Sequence, residues 1–380
     1  MNPKDFQDIE AVANVRLTML EARGLRRKLS PTERMVTGSA VRNGRPMISF
    51  SDNDYLGLSA HPKVIEATIE ATRKYGAGAG AARLISGDNP LNEQLEAMLA
   101  RIKQLPAARV FGSGYLANAG AIPALVGAGD LIVMDELCHA SMHAGARLSG
   151  ARIQTFSHNN AISASHYLQQ RDASARALLL TETVFSMDGD IAPLVDLANA
   201  ARETAAWMMT DDAHGLGVTH IDNPAPIQMG TLSKAVGCYG GYVAGPPNFI
   251  ELLTSRARTF VYATGLPPGV LAGSIAALEI IQDEPQLGAR AVSNARLFGS
   301  LLGIQNTASA IVPVIFGDAD RAMKASASLA DQGFLVTAIR PPTVPEDTAR
   351  LRFTFSARHS EADIRRLAAL VLDLLSDEGA

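Results

Sequence analysis

Five short runs of mostly apolar residues punctuate the middle of the chain, at 108–111, 131–134, 177–180, 206–209 and 241–244. A half-exposed strand alternates apolar and polar positions, whereas a strand covered on both faces reads as a continuous apolar run. Helical patterns separate these runs from about residue 60 to 275. This predicts a large α/β domain with a mostly parallel sheet and crossover helices. A long apolar helix follows over 268–281. Beyond it, 311–316, 334–337 and 350–355 read as strands, with helices over 318–330 and 364–375, the pattern of a smaller α+β domain. Ahead of the large domain, Val12, Val15, Met19 and Leu20 recur near helical spacing and predict a helical arm reaching to about Thr37, followed by a short strand over 46–50. The expected division is an arm over 1–50 packing with the small domain, a large α/β domain over 51–280, and a small α+β domain over 281–380.

Composition narrows the class. With 47% hydrophobic and 19% charged residues, the chain is neither disordered nor collagenous, and its length can bury a core without metal or disulfide staples. The formal net charge of −4 offers no basic excess to draw nucleic acid or an anionic membrane. Cys138 and Cys238 form no Cys-x-x-Cys pair and have too few neighbouring ligands for a zinc site, so a reducing cytoplasm and no metal are expected. No apolar run approaches the roughly 20 residues that span a bilayer. Asp5, Asp8 and Glu10 stand where a signal peptide would be basic and then apolar.

The polar residues of interest fall just after the apolar runs, where open α/β sheets bind ligands. After 108–111 comes Gly112-Ser-Gly114-Tyr115 and a helical pattern, which turns backbone N–H groups toward an anion such as a phosphate, or serves only the turn. After 131–134 comes His139, a ligand-facing imidazole or a structural one. After 177–180 a polar turn carries Glu182, Ser186 and Asp190, whose plainest reading is an acidic loop. After 206–209 stand Asp211 and His214. An ionised carboxylate there is costly unless a cation or a protonated nitrogen pairs with it. Too few further ligands accompany it for a metal, so a protonated cofactor ring nitrogen fits better than a metal, with capping of the turn as the alternative. Last comes Thr231-Leu-Ser233-Lys234 among small residues. Crowding would desolvate this lysine, lower its pKa and free its amine to form an imine with an aldehyde. An anion cradle, an imidazole, a buried carboxylate and a crowded lysine in this order are what pyridoxal 5′-phosphate requires.

Taken with Ser-Asp-Asn53-Asp-Tyr-Leu-Gly-Leu58, Phe-Ser186-Met-Asp-Gly-Asp190, Asp211-Asp-Ala-His214-Gly-Leu-Gly217, Thr231-Leu-Ser-Lys234 and Arg340-Pro-Pro-Thr343-Val-Pro345, the chain resembles the α-oxoamine synthases over nearly its whole length. These are fold type I pyridoxal-phosphate enzymes that join an amino acid to an acyl-CoA and release CO2. The resemblance implies a large, mostly parallel sheet domain of seven-stranded type. It implies that Lys234 bonds the cofactor and moves the Cα proton, Asp211 pairs with the pyridine nitrogen, His214 bonds the ring hydroxyl and His139 stacks on the ring. Gly114, Tyr115, Glu182, Ser186, Thr231 and Ser233 would complete the cofactor site, with the Thr231 position reaching the phosphate of the neighbouring subunit of a homodimer. Arg352 would hold the amino-acid carboxylate with Asn53 near it, and Arg26 and Thr343 would bind the acyl substrate. The compact length, the stretch 24–28 and the Arg340–Pro345 stretch favour a member joining L-alanine to a pimeloyl thioester. Glycine-using members and an aminotransferase of the same fold are the alternatives. Two departures from the family pattern stand out: Ala82, where Ser or Thr commonly precedes the arginine, and Gly265.

Overall fold

The computed structural model describes residues 8–376, so Asp5 and the ends of the expected arm and small domain lie outside the described residues. Seven strands form the central sheet, in the order Ala107–Phe111, Gly241–Gly245, Ile227–Thr231, Trp207–Asp211, Ala177–Glu182, Leu131–Asp135, Arg152–Phe156. Only Gly241–Gly245 runs against its neighbours; the other pairings are parallel. Because side chains alternate across a strand, Leu178 and Leu180 join the apolar cluster under the helix Gly114–Leu125, while Ala177 and Leu179 join the cluster on the opposite face. Helices therefore cover both faces, and the loops at the carboxyl ends of the parallel strands share one rim.

Two strands of this sheet are absent from the sequence reading. Arg152–Phe156 is an edge strand with only Phe156 buried, so its apolar signal is weak. Ile227–Thr231 is fully buried, yet Gln228 interrupts its apolar run; the Gln228 amide is satisfied by the carbonyl oxygens of Asn223 and Ala225. Among the described residues no helix is long and apolar enough to cross a membrane.

The arm also differs from its expectation. The helix Ile9–Ala22, capped by the Asp8 carboxylate, ends well short of Thr37 and buries no residue against the chain. Thr32–Arg34 instead pairs antiparallel with Ala40–Arg42, and Arg45–Ser49 continues that sheet. Pro31 removes a helical donor just before it, and Gly38 at φ +92° makes the turn. The expected 334–337 strand splits at the buried Val336: Phe334–Leu335 pairs parallel with Arg45–Ser49, and Thr337–Ile339 pairs with Ala349–Thr354. Ala349–Thr354 also pairs with Ile311–Gly317, and a cluster of Phe298, Phe334, Phe353 and Phe355 receives Phe50 from the arm.

The two sequence departures meet each other. Thr264 bridges to Ala82, and the Gly265 amide donates to the Ala81 carbonyl at 3.0 Å. A Cβ on Gly265 would stand 2.9 Å from the Gly87 carbonyl oxygen, so only glycine lets these segments touch. Arg83, beside Ala82, is fixed by Asp88 at 2.8 Å and by the buried Glu96.

His359 fastens Ser49 and Phe50 to the turn that begins at Ser356. Its ring stacks on Phe50 at 3.9 Å, Nε2 donates to the Ser49 carbonyl at 3.0 Å, and Nδ1 accepts from the Ser356 amide. A neutral imidazole satisfies both bonds, and burial pushes its pKa down to about 4. The unfolded chain binds this proton near pH 6.5, so stability is present above that pH and is lost as pH falls toward 4. Urea unfolding is expected to show a falling midpoint across this window, worth at most about 3 kcal/mol. His359→Gln should flatten the slope; an unchanged slope would remove His359 as its source.

Candidate active site

At the carboxyl rim of the sheet lies a cavity of about 170 Å³. The strand period of two puts Glu182 on the same face as Leu180 and Asp211 on the same face as Met209. Both acids thus emerge beneath the start of Gly114–Leu125, as direct neighbours across parallel strands. Both are nearly solvent-free. Asp211 accepts from the Asn118 side chain at 2.9 Å and from the Ala213 amide at 3.0 Å. Burial pushes its carboxyl up, against the pull of the Lys234 charge and these hydrogen bonds. Burial also drives Glu182 well above the usual carboxylate range, and the charge of Asp211 adds to it.

Lys234 enters the cavity from the turn after Ile227–Thr231. Burial holds its amine below the ordinary lysine value, although Asp211 and Glu182 pull the other way. His139 caps the helix Ala140–Ser149; its Nδ1 accepts from the Ser141 amide and lies 2.7 Å from the Ser141 hydroxyl, which in turn accepts from Asn118. Burial lowers its pKa. His214 lies buried with Nδ1 2.7 Å from the Tyr55 hydroxyl. Burial first, then the positive charges of Lys234 and Arg352, push it well below its usual value, so the ring is neutral.

Gly114 and Tyr115 begin a helix capped by Ser113, and their amides have no acceptor within the helix. The approach is close: a Cβ on Gly114 would stand 2.4 Å from Thr231 Cγ2, and one on Gly241 would stand 2.5 Å from the Gly114 nitrogen. Thr231 and Ser233 complete this side of the cavity.

Arg352, 7% exposed, donates to the Ser186 carbonyl through Nε, to Asn53 Oδ1 at 3.3 Å and to the Tyr55 hydroxyl at 3.4 Å. Tyr55 thereby links the Arg352–Asn53 pair to His214. Ser186 meets this group through its carbonyl and does not line the cavity. Arg26 and Thr343 lie elsewhere, on an exposed seam where Arg27 donates to the Thr343 hydroxyl and Arg340 to the Arg26 carbonyl. Sequence reasoning assigned no role to Tyr55, Asn118 or Ser141, although each stands inside or beside a stretch it singled out. Their signal is three-dimensional, since each bonds a residue far away in sequence.

Two observations test this cavity against pyridoxal phosphate. Glu182 Oε1 is buried with no hydrogen-bond partner, as is Asn118 Oδ1, so the polar lining is incomplete by itself. The cradle at Gly114 is kept bare at the end of a helix whose amides favour an anion. The residues fit the group: the Gly114 and Tyr115 amides would suit its phosphate, the buried Asp211 carboxylate a protonated ring nitrogen, the His139 imidazole the ring, and the desolvated Lys234 amine its aldehyde.

The family model for aminotransferases of class I and II matches residues 45–371, and the chain belongs to that family. Within it, the likeness is to the α-oxoamine synthases, as the motifs led one to expect. The 8-amino-7-oxononanoate synthase of Methylobacterium nodulans is 54% identical over 367 residues, covering 96% of this chain and 97% of that protein. A solved variant of S. paucimobilis serine palmitoyltransferase with bound PLP–myriocin aldimine matches with a TM-score of 0.90 at 27% identity, covering 97% of this chain and 98% of that one. The 8-amino-7-oxononanoate synthase of Francisella tularensis matches with a TM-score of 0.75 at 25% identity, over 88% and 99% of the two chains.

A depressed lysine pKa leaves more neutral amine at every pH below about 10. Treating the protein with pyridoxal phosphate at about pH 7.5 and reducing with borohydride is therefore expected to label Lys234 ahead of the exposed Lys63 and Lys74, read by peptide mass. Even labelling of all three would contradict the assigned desolvation.

Proposed function

We propose that this chain is a pyridoxal-phosphate-dependent acyltransferase that condenses L-alanine with a pimeloyl thioester, on CoA or a carrier protein. The products are 8-amino-7-oxononanoate, CO2 and the free thiol, a step of biotin biosynthesis. The observation that carries the chemistry is one cavity holding a desolvated amine, Lys234, and a buried carboxylate, Asp211, with the buried Arg352 joined to its His214 wall through the Tyr55 hydroxyl. The near-full-length likeness to 8-amino-7-oxononanoate synthases supports the choice of substrates.

When bound, pyridoxal phosphate supplies an electron sink for negative charge developing on the amino acid α carbon. Asp211 would pair with the pyridine nitrogen and keep it protonated, and Asn118 and the Ala213 amide hold that carboxylate in place. His139 would face the cofactor ring, neutral His214 would donate to its hydroxyl and Glu182 would close the remaining side, with Ser186 acting from behind through its carbonyl bond to Arg352. The Gly114 and Tyr115 amides with the Ser233 hydroxyl would hold the phosphate, and Thr231 would reach the phosphate bound by the neighbouring subunit. Arg352 presents a planar fork to the amino-acid carboxylate, with Asn53 beside it. Lys234 Nζ takes the α proton. Arg26 and Thr343 meet the acyl substrate.

The assembly is a homodimer with its sites at the interface, in the cytoplasm. The exposure of Tyr115, 51% at the cavity, supports a partner covering this rim. The free Cys138 and Cys238 suit a reducing compartment.

Alanine, glycine and serine assayed against pimeloyl-, succinyl-, acetyl- and palmitoyl-CoA, with thiol release and product mass as readouts, should give turnover with alanine and the pimeloyl donor. Glycine with a shorter donor as the best pair would refute the assigned substrates. No thiol release from any pair would refute the reaction. Lys234→Ala should abolish turnover, and Asp211→Ala should lower kcat by about 10²–10³-fold or more; near-normal rates in either variant would remove the assigned role.

A further inference from the structure

Outside the cavity, one side-chain cluster stands apart from the roles given so far. His158 follows the edge strand Arg152–Phe156, and its ring lies between two carboxylates: Nδ1 is 3.0 Å from Asp135 Oδ1 and Nε2 is 2.8 Å from Asp190 Oδ2. Asp135 is fully buried at the end of its strand. The next residue repeats the bridge: the Asn159 amide donates to Asp135 at 2.8 Å and its side chain to Asp190 at 2.7 Å. That double contact uses the left-handed backbone of Asn159, φ 56°, which asparagine tolerates better than most residues. With an acid on each ring nitrogen, both nitrogens act as donors and the ring is an imidazolium. Burial alone would lower its pKa, but the hydrogen bonds to Asp135 and Asp190 raise it to about 10.

Asp190 ends the turn that begins at Phe185. The Phe185 amide donates to the Asp190 carbonyl at 3.0 Å, and the Phe185 ring meets the His158 ring edge-on at 4.4 Å. The opposite side of this turn is held by the small domain. Ser309 donates to the Gly189 carbonyl at 2.7 Å, Arg350 bonds Asp188, and Arg352 bonds the Ser186 carbonyl. The turn is thus pinned to the sheet by the histidine and to the small domain by the two arginines.

We infer that His158, clamped between Asp135 and Asp190, is a positioning residue for Arg352: it holds the 185–190 turn against which the guanidinium that receives the amino-acid carboxylate is set. The inference rests on the proposed function for the identity of that ligand. It separates His158 from the cofactor, which none of its contacts reaches, and from the acyl site. Loss of the clamp loosens one substrate's seat and leaves the rest.

The test uses purified holoenzyme. L-Alanine binding is followed by the cofactor's absorbance without acyl donor, and KM for each substrate is measured separately. His158→Gln is expected to raise the alanine Kd and KM by about tenfold, the loss of a charge-assisted hydrogen bond, with pyridoxal phosphate content and the thioester KM unchanged. Asp190→Asn, on a partly exposed side chain that the core does not need, should shift the alanine Kd in the same direction. Combined with Arg352→Lys, His158→Gln should add much less than its single effect, because both act on one contact. An unchanged alanine Kd in both single variants, equal weakening of both substrates, or full additivity with Arg352→Lys overturns the inference and leaves the function intact. Wild-type holoenzyme that binds no amino acid overturns the function and this inference together.

Discussion

The active end of this sheet is governed by the difficulty of burying two acids side by side. Removing an ion from water costs several kcal/mol even after the protein relaxes, and two like charges on adjacent strands repel. Asp211 and Glu182 are neighbours of this kind, each almost without solvent. The surroundings answer with donors and positive charge: Asn118 and the Ala213 amide on Asp211, the His139 and Ser186 amides on Glu182, and the Lys234 ammonium facing both. The same burial that raises the acids lowers the lysine. Proton affinity is thereby drawn toward the carboxylates and away from the amine, which leaves the amine free to react and leaves the buried acids in want of a cationic partner that would return them to the ionised form.

Two arginines of one strand of the smaller sheet join this centre. Arg350 and Arg352 lie two residues apart on Ala349–Thr354 and therefore share a face, and both are buried. They reach the same turn of the large domain, Arg350 through Asp188 and Arg352 through the Ser186 carbonyl. Arg350 meets the turn's carboxylate, and Arg352 meets its backbone through Nε alone. Its terminal nitrogens meet Asn53 and Tyr55 at hydrogen-bond limits of 3.3 and 3.4 Å, long enough to yield to a better acceptor. Through Tyr55 that group touches His214, so Arg352, Asn53 and the cavity-lining His214 share one hydrogen-bonded chain.

Where burial on both faces wrote an uninterrupted apolar run, the sheet was readable from sequence, and the polar residues after those runs drew notice to His139, Asp211 and His214; Lys234 follows the unread strand Ile227–Thr231 and stood out only by its small-residue neighbours. The reading failed where a strand's stability comes from partners rather than its own pattern. Gln228 breaks the run of a fully buried strand because its amide is satisfied by local carbonyls, and Arg152–Phe156 lies at an edge. The Thr32–Arg34 hairpin follows a real helix closely enough to be absorbed into it. Arg26 and Thr343 meet the other seam, not the cavity, a placement that spacing along the chain does not reveal. His158 carried no motif; its carboxylate partners stand 23 and 32 residues away.

The split at Val336 bears on how the chain is born. Arg45–Ser49 emerges early from the ribosome, but its parallel partner, Phe334–Leu335, arrives only when most of the protein has been made; Thr337 reaches Ser51 across 286 residues. Until then the Arg45–Ser49 edge and the Phe50 ring have no cover from the small domain. Such an edge pairs readily with another chain, and pairing across so long a loop closes slowly. Translation thus leaves the arm unpaired while the large domain condenses, and the last hundred residues complete two sheets at once.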